Sequence, residues 1–197
     1  NIEKVIAVVD EANGEGQFEV LITGQAAVGV DFQEVGQEDI ETGEKFGVPV
    51  ALVILVLVFG TLVAAFVPMV LAFVSIFVAL GAAAVVGQAF ALSFFVTNII
   101  FMIGLAVGID YSLFIVARYR EERAKGHEKL DSIARTGSTA SRAVLFSGVT
   151  VVIALIGMLL VPFNVFIGLG IGAILVVIAS VLAALTLLPA VLSLLGD

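Results

Sequence analysis

One acidic residue lies inside an otherwise uncharged, apolar segment. The segment runs from Val96 to Ala117, and Asp110 is its only charged residue. At ~1.5 Å per residue it can cross the ~30 Å hydrocarbon core of a bilayer, with Asp110 roughly 10 Å from its basic end. A carboxylate at that depth costs at least a few kcal/mol, so we expect Asp110 to face other helices, to be neutral for much of the time, or both. Asp110 is therefore the first candidate functional residue.

Two roles are compatible with Asp110. It is either a structural carboxylate that holds helices together through neighbouring hydroxyls, or a protonatable group that binds a proton on one side of the membrane and releases it on the other. A permanently buried structural charge normally pairs with Lys or Arg, and the other apolar segments contain neither. Burial in apolar surroundings also favours the neutral form of a carboxyl group. The pattern therefore favours a proton-binding site.

Three hydroxyl side chains are candidate partners of this site. Tyr111 follows Asp110 and lies ~100° around the helix, so its hydroxyl is placed to donate to a carboxylate on a neighbouring helix, unless it is there only for packing. Ser147 and Thr150 lie on a later apolar segment. They either bond to the acid or donate to carbonyls of their own helix.

Small residues follow one another at four-residue spacing beside the acid. Gly104, Gly108 and Ser112 form this row. Such a row lets a neighbouring helix approach closely, and packing alone is sufficient to explain it. We expect the close approach also to keep lipid away from Asp110.

The composition is that of a helical membrane protein. Of the 197 residues, 61% are hydrophobic and 13% are charged. Neither the stretch from Gly47 to Ile109 nor that from Ala143 to Gly196 contains an acidic or basic residue. These stretches lack the alternation of barrel strands, so helices are the remaining way to satisfy the backbone in lipid.

Several classes of chemistry have no support in the sequence. There is no cysteine and no phosphate-binding loop, zinc-ligand spacing or nucleophile elbow. His127, the only histidine, lies in a charged loop, where a solvated surface role is expected. We expect no enzyme activity, no cofactor, no metal and no nucleic-acid partner.

The apolar pattern predicts five membrane spans after a soluble segment. Residues 1–43 have apolar faces but too few residues for a core, with Phe18 to Thr23 as a strand and an acidic, helical stretch after it. Because the chain begins inside a polar region without Met, we expect a piece of a longer polypeptide. Pro49 is expected in the opening turn of the first span, and a short interfacial helix is expected after Gly126. The predicted spans are about 44–60, 62–87, 96–117, 143–161 and 165–188, with the first turn near Gly60 and Thr61 and Pro68 as a competing boundary.

The charge distribution predicts an orientation. Residues 118–142 carry seven basic and four acidic side chains, and basic loops are retained in the cytoplasm. Residues 1–46 carry eleven acidic side chains against two lysines. With five spans, the N-terminal segment is then extracytoplasmic and Asp197 cytoplasmic.

A family resemblance follows from three segments. GLAVGIDYSLFIVARYREE, from Gly104 to Glu122, is followed by RAVLFSGVTVVIALIGMLL and ALTLLPAVLSLLG. Together they resemble the first half of a transporter of the MMPL (mycobacterial membrane protein large) family, in the resistance-nodulation-division (RND) superfamily. The resemblance covers about 46–196, and FEVLITGQAAVGVDF is similar to the end of the extracytoplasmic porter domain. It implies an all-α half-bundle, equivalent to the second to sixth of twelve transmembrane helices, preceded by the end of an α+β porter domain.

The resemblance implies proton-driven export of lipids or other hydrophobic compounds across the plasma membrane. Family members use an Asp-Tyr pair on this helix and a matching pair in the second half. Asp110 and Tyr111 match the first pair, whereas the second pair is not in these residues. The implied partners are the lipid bilayer, a hydrophobic or lipid substrate, protons and the second half of the transporter.

Two other functions stay open. Sterol-sensing domains of the same superfamily also use five such helices, so a lipid sensor or regulatory module is the main alternative. An accessory similar to SecD and SecF is a further one, although their characteristic motifs are not present. The cargo is selected in this family by the porter domain and the central cavity, so these residues do not identify it.

Overall fold

A computed structural model describes residues 2–15, 22–90, 92–93 and 95–194. Within these ranges the secondary structure is helical, with no strand. The α-helices are α1 (Ile2–Glu15), α2 (Gln25–Phe59), α3 (Leu62–Val86), α4 (Phe95–Ala124), α5 (Lys129–Thr136), α6 (Arg142–Leu159), α7 (Asn164–Leu182) and α8 (Leu188–Leu194). A first π turn, Gly137–Ser141, joins α5 to α6, and a second π turn, Ala183–Leu187, joins α7 to α8.

Four helical stretches are long and apolar enough to cross a membrane. They are Ala64–Val86, Phe95–Ala124, Lys129–Leu159 and Asn164–Leu194. The predicted first span corresponds to the apolar part of α2, Lys45–Phe59, which is shorter. At ~1.5 Å per residue it covers about 22 Å, less than the ~30 Å hydrocarbon core. In its described residues the chain is thus a helical, multi-pass membrane protein in which four of the five predicted spans have the required length.

The acidic N-terminal stretch and the first apolar segment form one continuous helix, α2. The prediction that Pro49 opens a separate helix is wrong, because α2 already begins at Gln25. Proline has no N–H, so one backbone hydrogen bond is missing inside α2. Most of the predicted strand from Phe18 to Thr23 lies outside the described residues, and Ile22 and Thr23 are neither helix nor strand. An α+β domain at this end stays a prediction.

The turn between α2 and α3 is at Gly60 and Thr61, as predicted. Gly60 has a φ of 70°, in the left-handed region that favours glycine, and its N–H donates to the Val56 carbonyl at 2.7 Å. The Thr61 hydroxyl then accepts from the Ala64 N–H at 3.4 Å and starts α3. Pro68, the competing boundary, is buried inside α3.

Helix α4 lies at the centre of the bundle, in contact with α2, α3, α5 and α7. Buried side chains form one cluster around Phe59, Tyr111 and Leu188 and a second around Ile76 and Val176. Helix α6 packs on α7 and is peripheral: 11% of the most apolar window in Lys129–Leu159 is buried, against 50% in Asn164–Leu194. The two helices that carry the candidate hydroxyls, α4 and α6, are therefore central and peripheral, respectively.

The basic segment does not form a separate helix. After the turn at Gly126, α5 continues through the first π turn into α6, rather than ending as a short interfacial helix. A row of small buried residues at four-residue spacing holds this continuous helix against the bundle: Ser132, Thr136, Ala140, Val144 and Gly148. Helix α8 contacts α5, and the end of α2 contacts α4 next to the basic segment. The α2–α3 turn, the basic segment and α8 thus lie at one end of the bundle, the basic end.

Candidate functional site

One face of α4 is packed tightly against two other helices. A Cβ added at Gly108 would lie 2.8 Å from the Ala72 Cα on α3, and one added at Gly104 would lie 2.8 Å from the Val176 Cγ2 on α7. Ser112 continues this face, is buried, and donates its hydroxyl to the Gly108 carbonyl at 2.7 Å. The row of small residues therefore lets α3 and α7 approach the α4 backbone closely.

Asp110 lies on the other face of α4. It is two residues beyond Gly108, or ~200° around the helix, and its side chain is exposed within this chain. Met102, Ala106 and Phe114 precede and follow it at four-residue spacing and are exposed as well. The described helices therefore do not shield Asp110 in the way the glycine row predicted, because that row packs on the opposite side.

Tyr111 is buried and points towards α6. Its side chain is 7% exposed, and its hydroxyl lies 3.8 Å from the position of a Cβ at Gly148. The space between α4 and α6 at this level is thus occupied by the tyrosine ring next to Asp110. The missing Cβ of Gly148 also admits the Val181 side chain of α7.

Ser147 and Thr150 are both exposed on α6. Thr150 donates its hydroxyl to the Phe146 carbonyl at 2.8 Å, so it bonds to its own helix. Phe114 of α4 and Ala143 of α6 line the same crevice, so these two residues lie at a similar depth. One helical turn further from the basic end, α4 carries Asp110 and α6 carries Ser147. The structure brings Ser147, rather than Thr150, to the depth of the acid.

A crevice of about 520 Å³ separates α4 from the first π turn and the start of α6. It is lined by Phe114, Ala117, Arg118, Glu121, Thr139, Ala140 and Ala143. The Nε of Arg118 is buried and has no hydrogen-bond partner among the described residues. Sequence analysis missed this site because its residues come from two segments that only the fold brings together.

A buried carboxylate fixes the junction between α4 and α5. The Glu122 side chain is 4% exposed, and its Oε1 lies 2.6 Å from Arg118 Nη2 and 2.9 Å from Lys125 Nζ. Hydrogen bonds to Glu122 and Glu121 raise the pKa of Lys125. His127 Nε2 lies 3.5 Å from Glu122 Oε2, so the histidine is part of this junction rather than freely solvated. Spacings of three and four residues along α4 are the signal that predicts such pairs.

Arg120 joins the end of α2 to α4. Its Nη1 donates to the Phe59 carbonyl at 2.7 Å, and its guanidinium carbon lies 5.6 Å from the centre of the Phe59 ring. An arginine at the C-terminus of a helix satisfies an unpaired carbonyl and complements the helix dipole. No pattern in the sequence signals this contact, because the two residues are far apart in the chain.

The residues that the structure describes do not include a set of metal ligands. Among them, no group of three or more His, Cys, Asp or Glu side chains converges. The chemistry of the site rests on a carboxyl group, hydroxyls and the crevice.

The fold and site define a helical membrane protein with one acid inside a central span. The chain matches the model of the MMPL family over residues 1–197. It belongs to the MMPL family, in the RND superfamily of transporters.

Several curated relatives are similar to this chain. It is 38% identical over 187 residues to the mycolic acid-containing lipids exporter MmpL11 of Mycolicibacterium smegmatis, covering 95% of this chain and 19% of the relative. It is 36% identical over 178 residues to the heme uptake protein MmpL11 of Mycobacterium tuberculosis, covering 90% and 18%. It is 35% identical over 159 residues to the trehalose monomycolate exporter MmpL3 of M. smegmatis, covering 81% and 16%. The chain thus spans about a fifth of the length of these relatives.

Proposed function

We propose that this chain is the membrane part of one half of a proton-driven exporter of lipids or other hydrophobic compounds. Asp110 is the proton acceptor, and Tyr111, whose ring packs between α4 and α6, fixes the position of the helix that carries the acid. The observation that carries this proposal is the placement of Asp110: an acid in the middle of the central helix, on the face that the described helices leave uncovered. Two relatives named as lipid exporters support the direction and the class of cargo.

The surroundings of Asp110 support a proton site rather than a structural carboxylate. The basic residues that the structure describes near α4 are at the basic end, beyond Ala117, and Arg118 there pairs with Glu121 and Glu122. Ser147 lies at the depth of the acid, and Tyr111 is the next residue. Hydroxyls solvate both protonation states of a carboxyl group without fixing either, which is what a group that exchanges protons requires.

The uncovered face of α4 is where we place the second half of the transporter. A matching Asp-Tyr pair there would complete the site and shield Asp110 from lipid. An acid that stayed exposed to acyl chains would cost several kcal/mol, so this face needs such a cover. The glycine rows on the opposite face allow α3, α4 and α7 to shift against one another.

The orientation is part of the proposal. The basic end faces the cytoplasm, because Arg and Lys in short loops are retained there. Lys45–Phe59 then forms a shortened first span, with the acidic start of α2 outside as the end of a porter domain. A short span of this kind is accommodated by local thinning of the bilayer.

Replacement of the acid tests the proton role in the full-length transporter. Asp110→Asn keeps the size and polarity of the side chain but removes proton exchange, so we expect export to fall at least about 100-fold, to the level without transporter. Asp110→Glu is the matched control and should retain a measurable fraction of the export rate of the unmodified protein. Export by Asp110→Asn at the rate of the unmodified protein, at equal expression, would rule the proton role out.

The cargo is tested separately, because the relatives carry different names. One is named for mycolic acid-containing lipids and another for heme uptake. We expect a strain lacking the transporter to lose lipid export, and the loss to be restored by the unmodified gene. Restoration of heme uptake without lipid export would favour the second cargo. Saturable lipid binding with no proton-dependent transport would favour the alternative of a sensor.

A further inference from the structure

An apolar groove of about 430 Å³ lies on the outer side of α3. Two residues of its α3 wall, Val70 and Val74, are each two positions from Ala72, which packs against α4 at Gly108. Two positions correspond to ~200° around a helix, so the groove faces away from α4. The second π turn and α8 form the other wall. The lining residues are Leu62, Phe66, Val67, Val70, Leu71, Val74, Leu187 and Val191.

The groove begins at the basic end and has the length of one membrane leaflet. Leu62 is the first residue of α3, directly after the turn at Gly60 and Thr61. From Leu62 to Val74 the groove follows α3 for ~18 Å at ~1.5 Å per residue. Half of the ~30 Å hydrocarbon core is ~15 Å. The groove therefore matches the depth that a lipid acyl chain reaches from the leaflet at the basic end.

A positively charged group is held next to the mouth of this groove. Arg120 Nη1 donates to the Phe59 carbonyl at 2.7 Å, and its guanidinium carbon lies 5.6 Å from the centre of the Phe59 ring. Leu62 follows Phe59 by three residues, which span at most ~10 Å. The guanidinium and the first lining residue of the groove are therefore close together.

The charge of Arg120 is not compensated by the described residues. Other basic side chains at this end of the bundle pair with carboxylates, among them Arg118, Lys125 and Arg135. No carboxylate among the described residues forms an ion pair with Arg120, which is exposed. A guanidinium has five N–H donors, and the Phe59 carbonyl accepts from one nitrogen. Donors and charge thus remain for an anion.

We propose that the groove binds one acyl chain of an anionic phospholipid from the leaflet at the basic end, and that Arg120 binds its phosphate. An arginine donates paired hydrogen bonds to phosphate oxygens, and anionic headgroups are attracted to basic side chains at the membrane surface. The chain lies between α3 and α8, so the bound lipid fills the space that these two helices leave open. This site is separate from Asp110 and independent of the proposed proton role.

Photocross-linking in the full-length transporter tests the occupant. Phe66, in the groove, is replaced by p-benzoylphenylalanine, in vesicles of equal parts phosphatidylglycerol and phosphatidylcholine with identical acyl chains. The matched control is Phe77, which is also on α3 and exposed but does not line the groove. Since one arginine near the surface contributes about 1 kcal/mol, Phe66 should cross-link phosphatidylglycerol about fivefold more than phosphatidylcholine, and Phe77 both equally.

Two results would overturn this occupant. Equal cross-linking of both lipids at Phe66 would show that the site does not select an anionic headgroup. Cross-linking of Phe66 to a peptide of the transporter would show that another helix covers the groove. Neither result depends on transport, so the outcome is separable from that of Asp110→Asn.

Substitutions at the arginine test the headgroup contact. Arg120→Gln should abolish the preference for phosphatidylglycerol at Phe66, whereas Arg120→Lys, which keeps the charge, should retain part of it. Arg142→Gln removes another exposed arginine near the basic end and should leave the preference unchanged. An unchanged preference in Arg120→Gln would refute the contact, and its loss in Arg142→Gln as well would show attraction by the net charge alone.

A bulky side chain tests the groove itself. Val70→Trp fills it, and Val78→Trp places the same side chain at an exposed position of α3 outside it. In native mass spectrometry of the full-length protein with added phosphatidylglycerol, Val70→Trp should lose most of the bound lipid that the unmodified protein and Val78→Trp retain. Equal lipid binding by the two tryptophan variants would refute the groove as the site of the acyl chain.

Discussion

The two faces of α4 differ in almost every respect. The face with Gly104 and Gly108 is buried and lies against the backbones and side chains of α3 and α7. The face with Asp110 is exposed along its length in this chain. Because they share one helix, one face can hold the fold while the other is available for chemistry. We therefore expect substitutions on the first face to act on stability and substitutions on the second to act on transport.

The largest loss of stability is expected at Gly108. Valine there would place a Cβ 2.8 Å from the Ala72 Cα, and a backbone atom has little freedom to move away. We expect a cost of at least ~3 kcal/mol, at the top of the range for overpacked cores. Gly81→Val, on α3 with no atom near its added Cβ, is the control and should change stability by less than ~0.5 kcal/mol. Thermal unfolding of the full-length protein in detergent measures both variants. Equal melting temperatures of the Gly108→Val and Gly81→Val variants would contradict the tight packing of α4 against α3.

A smaller loss is expected at Gly148, where the neighbour is a side chain. Alanine there overlaps the Val181 Cγ2, whereas the Tyr111 hydroxyl, at 3.8 Å, is at ordinary contact distance. We expect Gly148→Ala to cost ~1–2 kcal/mol, with part of it recovered in the double variant Gly148→Ala/Val181→Ala. A double-mutant cycle should give a coupling energy of about 1 kcal/mol. Strictly additive effects would show that α6 does not pack on α7 as described.

The smallest effect is expected where Arg120 meets the end of α2. Arg120→Gln removes the charged hydrogen bond to the Phe59 carbonyl and the contact with its ring, at a cost of about 1 kcal/mol. The stability of Arg120→Lys should lie between those of Arg120→Gln and the unmodified protein, because lysine keeps the charge but not the planar guanidinium group. Arg142→Gln, at an exposed position at the start of α6, is the control. If both Gln variants melted at the same temperature as the unmodified protein, Arg120 would not stabilise the bundle.

Residue patterns predicted the membrane helices because long apolar runs have few alternative structures in lipid. The spans that start near 62, 96, 143 and 165 all lie in helices of sufficient length. The prediction of a turn at Gly60 and Thr61 was also correct, since glycine is the residue that adopts a left-handed conformation without strain. Family membership, suggested by the Gly-x-Asp-Tyr segment, is confirmed over the whole chain.

Other features depend on how separate segments meet. Pro49 was expected to begin a helix, but a proline inside a helix costs only one hydrogen bond when the rest of the helix is favourable. The glycine row correctly indicated a close approach of helices but not on which side of Asp110 it would fall. The crevice and the Arg120–Phe59 contact join residues that are distant in sequence. No local spacing encodes them.

The central claim is that Asp110 gains and loses a proton inside the membrane, and infrared spectroscopy of the full-length transporter in lipid tests it most directly. A protonated carboxyl group has a C=O band that its carboxylate lacks. Our account predicts such a band at low pH that disappears as the pH rises and that is missing from the Asp110→Asn spectrum. Identical titration spectra of the unmodified protein and Asp110→Asn would contradict it.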